Sequence, residues 1–217
     1  MDIGKAFTFV LDDEDKIMKL IIGAIVIFIP IVNFAALGYM VQVVRNVRDG
    51  RDRPLPAWDN FGDYFVNGLK VFVGILVYSI PVILLACAFG AATAAVGNAV
   101  NPSDADTVMG VLSSCLICFS IIFGLIPYLV FPAMVARLAE VGEMNAMWRV
   151  GEIWTFIQQD LGSYVIVLVL SFVATSFLAP LGLIACLVGV FITQWWAYLV
   201  VAHLTGQLAR NNAALAV

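Results

Sequence analysis

The chain has 217 residues, 63% of them hydrophobic, with 11 Lys+Arg, 15 Asp+Glu and a net charge of −4. Soluble domains are about 45–50% apolar and about 25% charged, and a chain this small has too much surface per volume to hide such an apolar excess from water. That excludes an ordinary soluble enzyme, a nucleic-acid binder, a disulfide-stapled secreted module and a disordered tail, and leaves a multi-pass membrane protein.

In chain order, Asp12-Asp13-Glu14-Asp15 comes before the first apolar run. It is the wrong charge for the start of a signal peptide, so no cleavable signal is expected. The run Leu20–Val44 carries Pro30 and Asn33 near its middle, a poor place for an amide facing lipid. It reads either as one span or as a pair of short arms turning at Pro30–Asn33. The basic residues bear on that choice. The loop Gly97–Asp106 and the turn Leu178–Gly182 contain no Lys or Arg, whereas Arg45, Arg48, Arg51, Arg53, Lys70, Arg137, Arg149 and Arg210 lie in the opposite segments. The positive-inside rule makes those segments and the C-terminus cytoplasmic. A full first span would put Lys5, Lys16 and Lys19 outside. A re-entrant hairpin keeps every base inside, and it is the reading adopted, with a fifth span as its alternative. Arms of about 12 residues reach only about 18 Å, so the hairpin would be shallow.

Val71–Val100 and Val108–Ala136 each supply one crossing, since about 20 apolar residues cover the hydrocarbon. Leu161–Ala209 fits two, broken at Leu178-Ala-Pro180-Leu-Gly182, where proline cannot donate and glycine permits a turn. The runs are continuous and lack period two, so helices and not a barrel are expected. Three aromatic-rich stretches, Ala6–Val10, Gly62–Val66 and Ile153–Ile157, each lead into an apolar run. They read as cytoplasmic interfacial amphipathic helices opening three repeat units, 3–50, 59–140 and 147–210, within a single membrane domain, 1–217.

Gly38-Tyr39, Arg45-Asn46-Val47, Gly50, Leu55-Pro56-Ala57-Trp58-Asp59 and Gly68-Leu69-Lys70 form a recognisable pattern. It resembles an uncharacterised family of bacterial and archaeal integral membrane proteins, a domain of unknown function. The pattern covers about the first third of the chain; the rest is similar in hydropathy layout. The resemblance implies a multi-pass protein of the prokaryotic cytoplasmic (inner) membrane and supplies no reaction, substrate or catalytic residue.

Arg45, Arg48, Arg51 and Arg53 read as a lipid-headgroup patch, each base near an anionic leaflet contributing about 1 kcal/mol, or as a topology determinant. Pro54 and Pro56 stiffen the approach to Trp58, which suits the interface, and Asp59 or Asn60 reads as a helix cap. Cys115 and Cys118 have metal or redox spacing, but on a membrane helix they read as small apolar groups. His203 is a suspect for a proton relay or an axial ligand to a pigment or haem, against a simple bond to a neighbouring carbonyl. Ala86, Gly90 and Ala94 recur every four residues and suit close helix approach, internal or to a partner subunit. Trp195, Trp196 and Tyr198 fall inside the last run, where at least one faces lipid, a bound hydrophobic molecule or another subunit. No Asp, Glu, Lys or Arg lies deep in any run, which argues against a charge-coupled carrier.

The expectation is an all-α membrane protein of four transmembrane helices plus a shallow N-terminal re-entrant hairpin. It would be non-enzymatic, an accessory or structural subunit or a lipid-interacting component. No cofactor, metal or nucleic acid is expected, and its partners would be the bilayer, anionic lipids and other membrane subunits. A channel or carrier for a neutral or lipidic solute is the alternative, and a cofactor holder using His203 the third reading.

Overall fold

The computed structural model describes residues 1–99 and 102–215, apart from the side chains of 97–99, 102–105 and 184–188. The loop expected at Gly97–Asp106 lies partly outside the described residues, as do the side chains of Asn98 and Cys186. The described chain is all helix. The helices are α1 (Ile3–Thr8, then a 3-10 turn Phe9–Asp12), α2 (Lys16–Phe28), α3 (Phe34–Arg48), α4 (Phe61–Ala99) and α5 (Pro102–Val141). A 3-10 turn Met144–Met147 precedes α6 (Val150–Gln159) and α7 (Leu161–Val173). α7 widens through Ala174–Leu178, tightens through Ala179–Ala185, and leads into α8 (Cys186–Leu215).

Two compact units form, one of Met1–Gly74 with Pro132–Val217, the other of Ile75–Phe131. In the first, α8 is the axis. Trp195, Leu199, Leu204 and Leu208 are fully buried along it. The first apolar run folds as two helices, not one. Ile29 is extended before Pro30, ending α2, because proline disfavours a helical predecessor. Gly23 and Phe28 of α2 meet Trp195 and Phe191 of α8, whereas Tyr39 and Val47 of α3 meet Trp195 and Gly206. The two arms therefore run in opposite directions on α8, with the tip at 29–33. At that tip Ile31 takes φ 72°, rare for a β-branched residue.

Glycines set how closely these helices meet. A methyl on Gly38 would land on the Tyr64 carbonyl, and one on Gly68 on the Phe34 carbonyl, so α3 and α4 cross backbone to backbone. The expected interfacial segments take three forms. Ala6–Val10 forms α1 and its 3-10 turn, with Ala6, Phe9 and Val10 buried. Gly62–Val66 is the start of the continuous α4, with no break to set it apart. Ile153–Ile157 lies in the separate, strongly amphipathic α6, with Ile153 and Phe156 buried and Trp154 exposed.

The second unit comprises the parts of α4 and α5 within 75–131, where Ile83, Leu84, Val111, Ile117, Ile121 and Ile122 are all exposed. Three stretches are long and apolar enough to cross a bilayer, Phe61–Val96, Asp106–Val141 and Leu161–Leu183.

Candidate functional site

Residues 54–57 form a strap of irregular backbone between α3 and α4, and two of its four residues are prolines without an N–H. Irregular backbone in an apolar setting must find partners for its carbonyls. Here each carbonyl accepts from a side chain. Asn46 Nδ2 donates to Pro54 O (2.8 Å), Lys19 Nζ to Leu55 O (3.1 Å), Tyr39 OH to Pro56 O (2.8 Å) and Tyr64 OH to Ala57 O (2.8 Å). Lys19 also pairs with the buried Asp13 at 2.8 Å. Trp58 then stacks on Tyr39 (ring centroids 4.3 Å), packs 5.8 Å from Trp195, and donates through Nε1 to Lys19 O (3.4 Å). The residues of the recognisable sequence pattern thus build one lock joining α2, α3, α4 and α8. Trp58 is a half-buried wedge in it, and Trp195 is its fully buried floor. Asn60 stands before α4, and its carbonyl accepts from Tyr64 N. Trp196 donates to Phe7 O (3.2 Å), holding the N-terminal segment.

The four arginines differ in their partners. Arg45 Nε and Arg48 Nη1 both donate to Ala139 O, at 3.0 and 3.2 Å, near the end of α5. Arg48 also pairs with Asp49 at 2.8 Å, and Arg53 with Glu14 at 2.8 Å in an exposed pair. The reason is local. Gly50, at φ 73°, follows α3, with Gly50 N–H donating to Val47 O and Arg51 N–H to Asn46 O. This is the Schellman closure, in which glycine takes the left-handed position. It ends α3 before Arg51, which lines a polar groove beside the strap together with Arg45, Arg53, Asp59 and Asp63.

Arg51 also lines a cavity of about 440 Å³ with Lys5 of α1 and Arg210 of α8. Asp2 N–H donates to Gln207 Oε1 (2.7 Å) and Gln207 Nε2 to Asp2 O (2.9 Å), clipping the start of α1 to α8. That clip orients the amide. Gln207 Nε2 also lies 3.0 Å from His203 Nδ1, so Nδ1 accepts and the neutral ring carries its proton on Nε2. His203 is buried, lines the same cavity, and rests on Phe9 (centroids 4.4 Å). Asp2 Oδ1 accepts from Lys5 N (2.9 Å), capping α1, and Asp52 is the other acid in the lining. Lys5 and Arg210 were missed in the sequence because they lie far from Arg51 along the chain. Gly50 was the visible signal that α3 ends before Arg51.

A second cleft of about 530 Å³ lies among Arg48, Arg137, Glu140, Glu152, Thr155 and Asn212. Arg137 pairs with Glu140 and Glu152, and Arg149 with Glu152 at 3.0 Å. The hydrogen bonds from Arg149 and then Arg137 hold the Glu152 carboxyl below its ordinary value. Asp160 is likewise lowered by its bonds to Ser163 at the start of α7. Ala86 and Gly90 are exposed, and a methyl on Gly90 would meet nothing within 4 Å. Cys87, Cys115 and Cys118 are exposed free thiols. Among the described residues no three His, Cys, Asp or Glu side chains converge as metal ligands.

Comparison with known proteins adds one match. Residues 21–205 fit the model of a family described as "Protein of unknown function (DUF4013)". No curated protein and no solved structure matches the chain.

Proposed function

The chain belongs to this family, whose description assigns no activity, and on that footing we propose that it is a non-enzymatic integral membrane protein. Its role would be that of an accessory or structural subunit, or of a lipid-interacting component, of the prokaryotic cytoplasmic membrane. The supporting observation is the bareness of its two longest helices. In the most apolar 18-residue window of α4 only 11% of residues are buried, and in that of α5 none are. Helices so apolar and so uncovered need hydrocarbon or another protein around them.

In this reading α4, α5, α7 and α8 cross the bilayer, and α2 and α3 dip in and return on the cytoplasmic side with the C-terminus. The exposed Ala86 and Gly90 offer a second helix a close approach. Two measurements test it. Mild-detergent purification of the native protein should bring down a membrane partner in fixed stoichiometry, or else retained lipid; recovery with neither overturns the role. In a variant stripped of its native thiols, a cysteine introduced as Lys5→Cys should resist an impermeant thiol reagent in intact cells. Labelling from outside would replace the re-entrant hairpin with a full span.

A further inference from the structure

We propose that the cavity formed by Lys5, Arg51 and Arg210 is a binding site for a phosphate-bearing anion. The three bases arrive from α1, from the Schellman turn after α3, and from the end of α8. Among the described residues none of their side chains has an ion-pair or hydrogen-bond partner, although Arg53, two residues from Arg51, has found Glu14. Like charges gathered at one cavity repel unless an anion joins them.

The acids present do not fill that place. Asp2, whose Oδ1 caps α1, and Asp52 bring two negative charges against the three bases. The backbone that carries these bases is held in place, while the three side chains themselves are exposed. The clip of Asp2 to Gln207 holds α1 on α8, and the turn at Gly50 puts its backbone beside Arg210, where a β-carbon would sit 3.6 Å from the guanidinium carbon. Two guanidinium groups and an ammonium suit phosphate oxygens, which accept forked and charge-assisted hydrogen bonds. A lipid headgroup and a free phosphate share that chemistry. The headgroup source rests on the membrane reading above; the cavity itself does not.

The test is calorimetric titration of the full chain in neutral maltoside micelles, using short-chain phosphatidic acid, short-chain phosphatidylcholine and inorganic phosphate. Saturable binding of phosphatidic acid or of phosphate, but not of phosphatidylcholine, is expected. The double variant Arg51→Gln/Arg210→Gln should weaken it about tenfold or more, and Arg53→Gln should leave it unchanged. Tighter binding of phosphatidic acid than of phosphate identifies the headgroup as the source; equal binding identifies the free anion. Should the double variant fail to fold, Lys5→Gln, at an exposed side chain, must show the same direction of loss. Binding by neither anion, or equal losses in Arg53→Gln and the cavity variants, overturns the site. That failure is distinct from purification without a partner or lipid, which bears only on the proposed role.

Discussion

The strap at 54–57 shows how few residues hold the first unit together. Of its four ties, the one through Lys19 carries the most, because the same ammonium neutralises Asp13 in a nearly dry setting, with side-chain exposures of 12% and 7%. Removing one partner of such a pair leaves the other charge buried, which costs about 3–5 kcal/mol. Lys19→Met should therefore lower thermal stability in detergent far more than Arg53→Ala, whose exposed pair is worth under about 1 kcal/mol. Equal melting points for the two variants would remove the strap from its central place. The glycines make a second contrast. Gly38→Ala and Gly68→Ala each force a methyl into a facing carbonyl and should cost about 1–3 kcal/mol as overpacking. Gly90→Ala meets open space and should be neutral or stabilising by up to about 1 kcal/mol, from helix propensity alone. Thermal unfolding of the three variants side by side decides the matter.

Among the elements, α6 responds most directly to pH. It is docked on α5 by the pair of Glu152 with Arg137, and Glu152 also pairs with Arg149 at the N-cap of α6 itself. Because those partners lower the folded carboxyl below its unfolded value, the docking is fully present above the ordinary carboxylate range. It is lost as pH falls through the lowered folded value. Hydrogen exchange of the α6 amides should rise as pH is taken from 7 toward 3 once the intrinsic rate is divided out. Glu152→Gln should show the raised exchange already at neutral pH and little further change. Identical profiles for the two proteins would mean that α6 is held by Ile153, by Phe156 and by the bond from Asn212 Nδ2 to Phe156 O. At this scale much was readable in the residues themselves. Hydropathy marks α4, α5 and α7, and Pro30 marks where α2 stops, because a missing N–H and a restricted predecessor act locally. The crossing of α3 on α4 was not readable as a contact. Gly38 and Gly68 stood out as a pattern, but nothing in either helix's own periodicity says that the two meet. The separate interfacial helix expected near residue 59 failed for a similar reason. No proline stands between Gly62–Val66 and the apolar run, so α4 starts at Phe61 and continues.

Across the molecule, the two units divide the chemistry. The unit of Met1–Gly74 and Pro132–Val217 holds nearly all the charge, the strap and both clefts, whereas Ile75–Phe131 contains no charged residue except Asp104 and Asp106. Composition alone reveals that contrast. It does not reveal that Lys5, Arg51 and Arg210 share a cavity, because their convergence depends on α1 and α3 both docking on α8. If the bare helices pack on a partner, Gly90→Trp should abolish co-purification while leaving the melting point set by the strap unchanged; a retained partner would move the contact elsewhere on α4 or α5. The clip of Asp2 to Gln207 also bears on the order of events during synthesis. Translation at about 5–20 residues per second puts about 10–40 s between the appearance of those two residues. Throughout that interval the opening segment lacks the seat on Gln207 that it finally occupies. Nascent chains stalled short of Gln207 should be clipped by protease within residues 1–12, and chains released after it should resist.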